Sequence, residues 1–146
     1  MPKQSAILLI AHGSRHEEAN ADTRHLAGQL EGQKTPRIVV AAFLELAQPD
    51  IDRGAGICVE KGATSVVLLP HFLSPGVHVR RDLASALKQL SKRFKHVKFL
   101  LAEPIGRHPL LIRVLSERAR EARSGQLIDG HRGPKQVGET ARNKKK

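Results

Sequence analysis

The chain has 146 residues, 40% of them apolar, enough for one domain with a buried core. Four Phe and no Trp or Tyr leave none of the aromatic platforms on which nucleic-acid modules stack bases, and a single cysteine, Cys58, excludes an internal disulfide and a cysteine-rich zinc or iron–sulfur site. Of the formal charge of +11, residues 129–146 hold net +4 (six Lys/Arg against Asp129 and Glu139), which leaves +7 on the body, a field that attracts polyanions.

In chain order, Ala6–Ala11 is a continuous apolar run, as expected of a strand covered on both faces. The apolar run at the N-terminus is too short for a signal core or a membrane span, and a reducing, cytoplasmic setting is expected. A polar helix follows over about 16–31, with Ala19, Thr23, Leu26 and Leu30 on one face. Arg37–Phe43 reads as the second strand. Pro49 suits the first turn of the next helix, Asp50 and Asp52 favour its positive end, Ile51, Ala55 and Cys58 form its inner stripe, and Gly62 stops it. Thr64–Leu69 is the third strand. An irregular segment over 70–79 precedes a helix near Arg81–Phe94 with Leu83, Leu87, Leu90 and Phe94 inside. Val97–Ala102 is the fourth strand, and Pro109–Arg123 the last helix, with Leu111, Val114, Leu115, Arg118 and Ala122 on one face. The pattern βαβαβαβα predicts an α/β fold, a parallel four-stranded sheet flanked by helices on both faces. The domain is expected to span residues 1–125, with a basic, disordered tail over 126–146.

In such a sheet the segments that leave the strands share one edge, where open α/β folds place ligands. His12 follows the first strand, and Gly13 and Ser14 can bring backbone amides to a ligand there. His12 reads either as a metal ligand or proton carrier, or as a strand cap. Glu45, between Leu44 and Leu46, reads as a functional carboxylate or as half of an ion pair with a basic neighbour. Pro75-Gly76 makes a turn that aims His78 over the sheet edge, and Arg80-Arg81 open a helix where basic residues oppose the dipole. A capping role does not explain two arginines there, and guanidinium forks suit carboxylates and phosphates. His71 reads as a wall residue beside Phe72, His108 before Pro109 as a helix cap, and Cys58 as core. Walker, GxGxxG, HExxH and GxSxG patterns are absent.

Four blocks in order, Ala11-His12-Gly13-Ser14-Arg15, Phe43-Leu44-Glu45-Leu46-Ala47-Gln48-Pro49, Leu69–Asp82 and Glu103–Pro109, resemble the CbiX/SirB family of sirohydrochlorin chelatases over about residues 6–122. The resemblance implies a chelatase-like fold and insertion of a divalent metal, Co2+ or Fe2+, into sirohydrochlorin for cobalamin or sirohaem synthesis, with the metal as substrate and no organic cofactor. It matches His12 and His78 to paired metal-binding, catalytic histidines and Glu45 to their acidic partner. The polycarboxylate substrate gives Arg80, Arg81, Arg15 and Ser14 a partner. Long members hold two such domains about one cleft, so this short form implies a homodimer. His71 departs from the aromatic or aliphatic residue of many members, and the tail beyond 124 has no counterpart. Two readings compete: a non-catalytic metal or tetrapyrrole carrier with the same cleft, and a nucleic-acid binder acting through the lysine tail. Neither nucleic acid nor a membrane is the partner expected.

Overall fold

The computed structural model describes residues 3–34 and 36–125. The expected tail over 126–146 lies outside the described residues. The chain divides into two compact units, the first Met1–Gly106 and the second beginning at Arg107.

In the first unit the strands β1 (Ser5–Ala11), β2 (Ile38–Phe43), β3 (Ser65–Pro70) and β4 (Lys98–Leu101) form one parallel sheet in the order β2-β1-β3-β4. Their β-branched and aliphatic runs pleat so that alternate residues enter opposite layers. Ala6, Leu8 and Ile10 of β1 join Val66 and Leu68 of β3 in the larger core, while Leu9 and Val39 face the other side. Burial of side chains the size of Leu8, Ile10 and Leu68 contributes about 1.5–3 kcal/mol each.

Three helices cover this sheet: α1 (Glu17–Glu31), α2 (Ile51–Glu60) and α3 (Val77–Arg93). Ala55 and Cys58 of α2 and Leu83 and Leu90 of α3 pack into the larger core; Ala27 and Leu30 of α1 pack on the opposite face. Helices on both faces therefore match the expected architecture. Asp50 caps α2, its Oδ1 accepting from the Arg53 amide at 2.8 Å. A Cβ on Gly54 would stand 2.8 Å from Leu8 Cδ1, so glycine is what lets α2 lie this close to β1. Arg93 joins α3 to α2 through an ion pair with Asp52.

Three details differ from the sequence reading. Pro49 precedes the N-cap Asp50, so it lies outside α2 and not in its first turn. Helix α3 begins at Val77, not near Arg81, with Gly76 at its N-cap, so Val79 packs against the same core as Leu83. On α1 the buried residues are Asn20, Thr23 and Ala27, whereas Leu26 is 40% exposed. The inward face is rotated because the Asn20 amide finds backbone partners below it.

The described part of the second unit holds α4 (Pro109–Arg123). His108 caps it as expected, Nδ1 accepting from the Leu110 amide at 3.2 Å. Its large apolar side chains Leu110, Ile112, Val114 and Leu115 are exposed. Among the described residues no helix is long and apolar enough to cross a membrane.

Candidate active site

The carboxyl ends of β1 and β2 are tied beyond their last paired residues, Ala11 and Phe43. The Leu44 amide donates to the Ala11 carbonyl and the Glu45 amide to the His12 carbonyl, each at 3.0 Å. This extension of the ladder sets His12 and Glu45 side by side. Gly13, at φ 95°, lies so close to the Glu45 carbonyl that no side chain fits between them. The chain then reverses around Leu46, whose φ of 62° is rare for a leucine, as the Ala47 amide donates to the Glu45 carbonyl at 2.8 Å. Conformations of this kind cost about 1–3 kcal/mol and collect at functional sites.

The result is a close pair: His12 Nε2 lies 3.3 Å from Glu45 Oε1, with the side chains 54% and 58% exposed. His12 Nδ1 lies 3.2 Å from the Gly13 carbonyl. A carbonyl can only accept, so this contact places a hydrogen on Nδ1, and Nε2 faces the carboxylate either as an N–H donor or, without its proton, as a lone-pair donor. Nε2 and the carboxylate are thus spaced to share one cation between them, either a proton or a metal ion.

Behind the pair stands α1. Asn20, 2% exposed, accepts from the Ser14 amide through Oδ1 at 2.9 Å and donates from Nδ2 to the Ser14 carbonyl at 2.8 Å. It also donates to Glu17 Oε2 at 3.1 Å, while Arg24 pairs with Glu17 Oε1. The Asn20 hydrogen bond first, and then Arg24, hold the Glu17 carboxyl below its ordinary range. Arg24 Nη2 donates to the Gln48 carbonyl at 3.3 Å, and its guanidinium carbon lies 5.4 Å from the Phe43 ring centroid. None of Asn20, Glu17, Arg24 and Gln48 stood out in the sequence; the one available cue was a polar residue, Asn20, in phase with Thr23 and Ala27.

The other expected site residues lie at the same edge in different settings. The Ser14 hydroxyl accepts from the His16 amide at 3.0 Å and its own amide is held by Asn20, so its backbone N–H serves the loop and not a ligand. Arg15 is exposed. His78 and Arg80 are exposed in the first turn of α3, and Arg81 is exposed at the start of the second. Among the described residues no three His, Cys, Asp or Glu side chains are grouped to hold a metal ion, so His78 does not join His12 and Glu45 in one ready-made cluster. Arg80 lines a cavity of about 130 Å³ with Pro70, Pro75, Leu83, Leu101 and Glu103; Arg81 does not line it. His71 lines a more apolar cavity of about 320 Å³ with Leu9, Leu26, Leu30, Leu69 and Ile105. Cys58 is wholly buried, and desolvation pushes its thiol up to about 11.

A family model described as CbiX matches residues 6–122. The chain is 35% identical over 112 residues to the chloroplastic sirohydrochlorin ferrochelatase of Arabidopsis thaliana, a match to 77% of this chain and 50% of that one. It is 34% identical over 118 residues to a sirohydrochlorin cobaltochelatase of Sulfolobus acidocaldarius, covering 81% of this chain and 92% of the relative. A crystal structure of a cobalamin (vitamin B12) biosynthesis CbiX protein from Marinobacter aquaeolei VT8 superposes with a TM-score of 0.72 at 28% identity, over 83% of this chain and 98% of that one. The chain spans half or less of the length of the Arabidopsis relative and of two relatives from Priestia megaterium. The family model covers most of the chain and the Sulfolobus relative is matched along nearly its whole length, and the chain belongs to the CbiX family.

Proposed function

We propose that this chain is a sirohydrochlorin chelatase, an enzyme that inserts Co2+ or Fe2+ into sirohydrochlorin. The observation that carries the reading is the His12–Glu45 pair, with Nε2 and Oε1 3.3 Å apart and Nδ1 engaged by the Gly13 carbonyl. Two donors each about 2.1 Å from one divalent ion, at angles between square and tetrahedral, stand about 3.0–3.4 Å apart. The spacing fits an ion seated between them. Family membership and the names of the relatives, a ferrochelatase and a cobaltochelatase, support either metal.

Insertion exchanges one divalent ion for two pyrrole N–H protons. The ion must lose waters and gain ring nitrogens while two bases take the protons. A pair that is half exposed and supplies only two donors leaves most coordination positions open for water and then for the macrocycle. As the metal departs, Nε2 and the carboxylate are free to accept protons. His78, in the first turn of α3, is the second imidazole in this reading, reaching the metal or the macrocycle from the other side of the edge. Arg80, Arg81, Arg15 and the Ser14 hydroxyl hold substrate carboxylates, within the positive field of residues 1–125. A second copy of this chain completes the cleft in a homodimer. The enzyme works in the cytoplasm, and its product feeds cobalamin or sirohaem synthesis.

Absorbance of the purified protein with sirohydrochlorin and Co2+ or Fe2+ tests the reading. Repeated turnover is expected, falling about 100-fold or more in His12→Ala and His78→Ala with the fold retained. Wild-type rates in both variants would sink the assignment. One metal taken up per chain without turnover would instead identify a carrier.

A further inference from the structure

The ladder bonds from Leu44 and Glu45 hold the inner side of the second segment, and the reversal through Leu46 to Pro49 is closed on β2 by the Phe43 amide, which donates to the Pro49 carbonyl at 2.9 Å. Its outer side is held by α1. There Arg24 reaches the Gln48 carbonyl and lies over Phe43, Glu17 links Arg24 to Asn20, and Asn20 grips both backbone polar groups of Ser14, two residues after His12. Glu17 and Arg24 are seven residues apart, about 10 Å along the helix axis, so both side chains must extend along it to meet. The outcome is a continuous hydrogen-bonded chain, Ser14–Asn20–Glu17–Arg24–Gln48, between the segment bearing His12 and the segment bearing Glu45.

We propose that Glu17 and Arg24 are positioning residues that, through Asn20 and the Gln48 carbonyl, set the separation of His12 and Glu45. The proposal rests on the reading of that pair as metal donors. Exposed ion pairs add little to stability, so a brace of this kind has a small effect on folding. Groups that orient ligands from behind, in contrast, commonly change metal affinity 10- to 100-fold when removed. That contrast separates positioning from general structural support.

The test uses Co2+ alone as probe and the full chain, by calorimetry, with thermal unfolding alongside. Arg24→Ala and Glu17→Gln should each weaken Co2+ binding about 10-fold while the melting temperature stays near that of wild type. Arg24→Lys should not restore affinity, because an ammonium lacks the two divergent N–H groups that reach Glu17 and Gln48 together. In a Glu45→Ala background the loss caused by Arg24→Ala should vanish. An equal loss in both backgrounds, or wild-type affinity in Arg24→Ala, overturns the proposal. If Glu45→Ala itself binds Co2+ as wild type does, the metal-donor reading fails, and the brace is then judged from backbone amide spectra of the metal-free protein. Shifts in Arg24→Ala that reach both residues 12–14 and 44–47 uphold it; shifts confined to α1 overturn it.

Discussion

The carbonyl oxygen of Glu45 lies 1.8 Å from where a Cβ on Gly13 would stand, so the segments carrying the candidate histidine and carboxylate meet at a contact that only glycine allows. The positive φ of Gly13, 95°, adds a second reason for glycine. Gly13→Ala should therefore push the segments apart and destabilise the fold by roughly 1–3 kcal/mol. Co2+ affinity should fall together with the melting temperature, unlike in the Arg24 and Glu17 variants. A Gly13→Ala protein with unchanged affinity would show that the spacing of His12 and Glu45 does not govern metal binding.

Asn20 tests how much of the loop is held from α1. Its buried amide satisfies both the N–H and the C=O of Ser14. Asn20→Ala leaves those groups without partners, and each such loss costs about 1–3 kcal/mol where water cannot replace the bond. Urea unfolding should show a lower midpoint with an unchanged slope. A midpoint equal to wild type would mean that water enters and replaces the amide.

Much of this architecture is legible in the sequence, and the gaps have physical causes. The four strands stood out because runs such as Ile7–Ile10 and Val66–Leu69 are buried from both sides and carry no polar interruption. The sequence places the start of α3 four residues late because Pro75 and Gly76 make the stretch before it look irregular; the spacing of Val79 with Leu83 and Leu87 is the stronger signal. His12 and Glu45 were visible as chemically unusual residues at strand ends, yet their pairing depends on the register Ala11–Phe43, which periodicity alone does not give. Leu46 at positive φ leaves no pattern in the sequence, and the Asn20–Glu17–Arg24 brace leaves only the polar Asn20 in phase with Thr23 and Ala27. They are tertiary arrangements of ordinary residues, and one leucine in a strained turn looks like any other.

The two arginines of α3, equivalent in sequence, separate in space. Arg80 lines a cavity beside Glu103 and Pro70 at the strand ends, and Arg81 does not. Arg80→Ala should thus weaken sirohydrochlorin binding more than Arg81→Ala, by about two- to fivefold, as expected of one exposed charged contact. The difference from wild type should shrink between low and high salt, because screening removes the same attraction from the wild type. Fluorescence titration at two ionic strengths measures this, and a larger loss in Arg81→Ala would reverse the assignment.

Cys58 supplies a pH dependence that owes nothing to the site. Its thiol is buried in the core against the sheet, and desolvation raises its value from the ordinary 9.0 to about 11. In the unfolded chain the thiol ionises near its ordinary value. Between the two values the native state therefore holds the proton more tightly than the unfolded state does, and stability falls as pH rises through that window. Below pH 9 the thiol is neutral in both states and contributes no slope. Cys58→Ala should remove this part of the alkaline slope while leaving a small cavity in the core, at a cost of about 1 kcal/mol at neutral pH. Thiol-reactive dyes should label native protein only at the rate of unfolding and label it fully in denaturant. Fast native labelling at pH 8 would place Cys58 outside the core, whereas a slow rate that tracks urea concentration would tie the alkaline instability to the packing of α2 on the sheet.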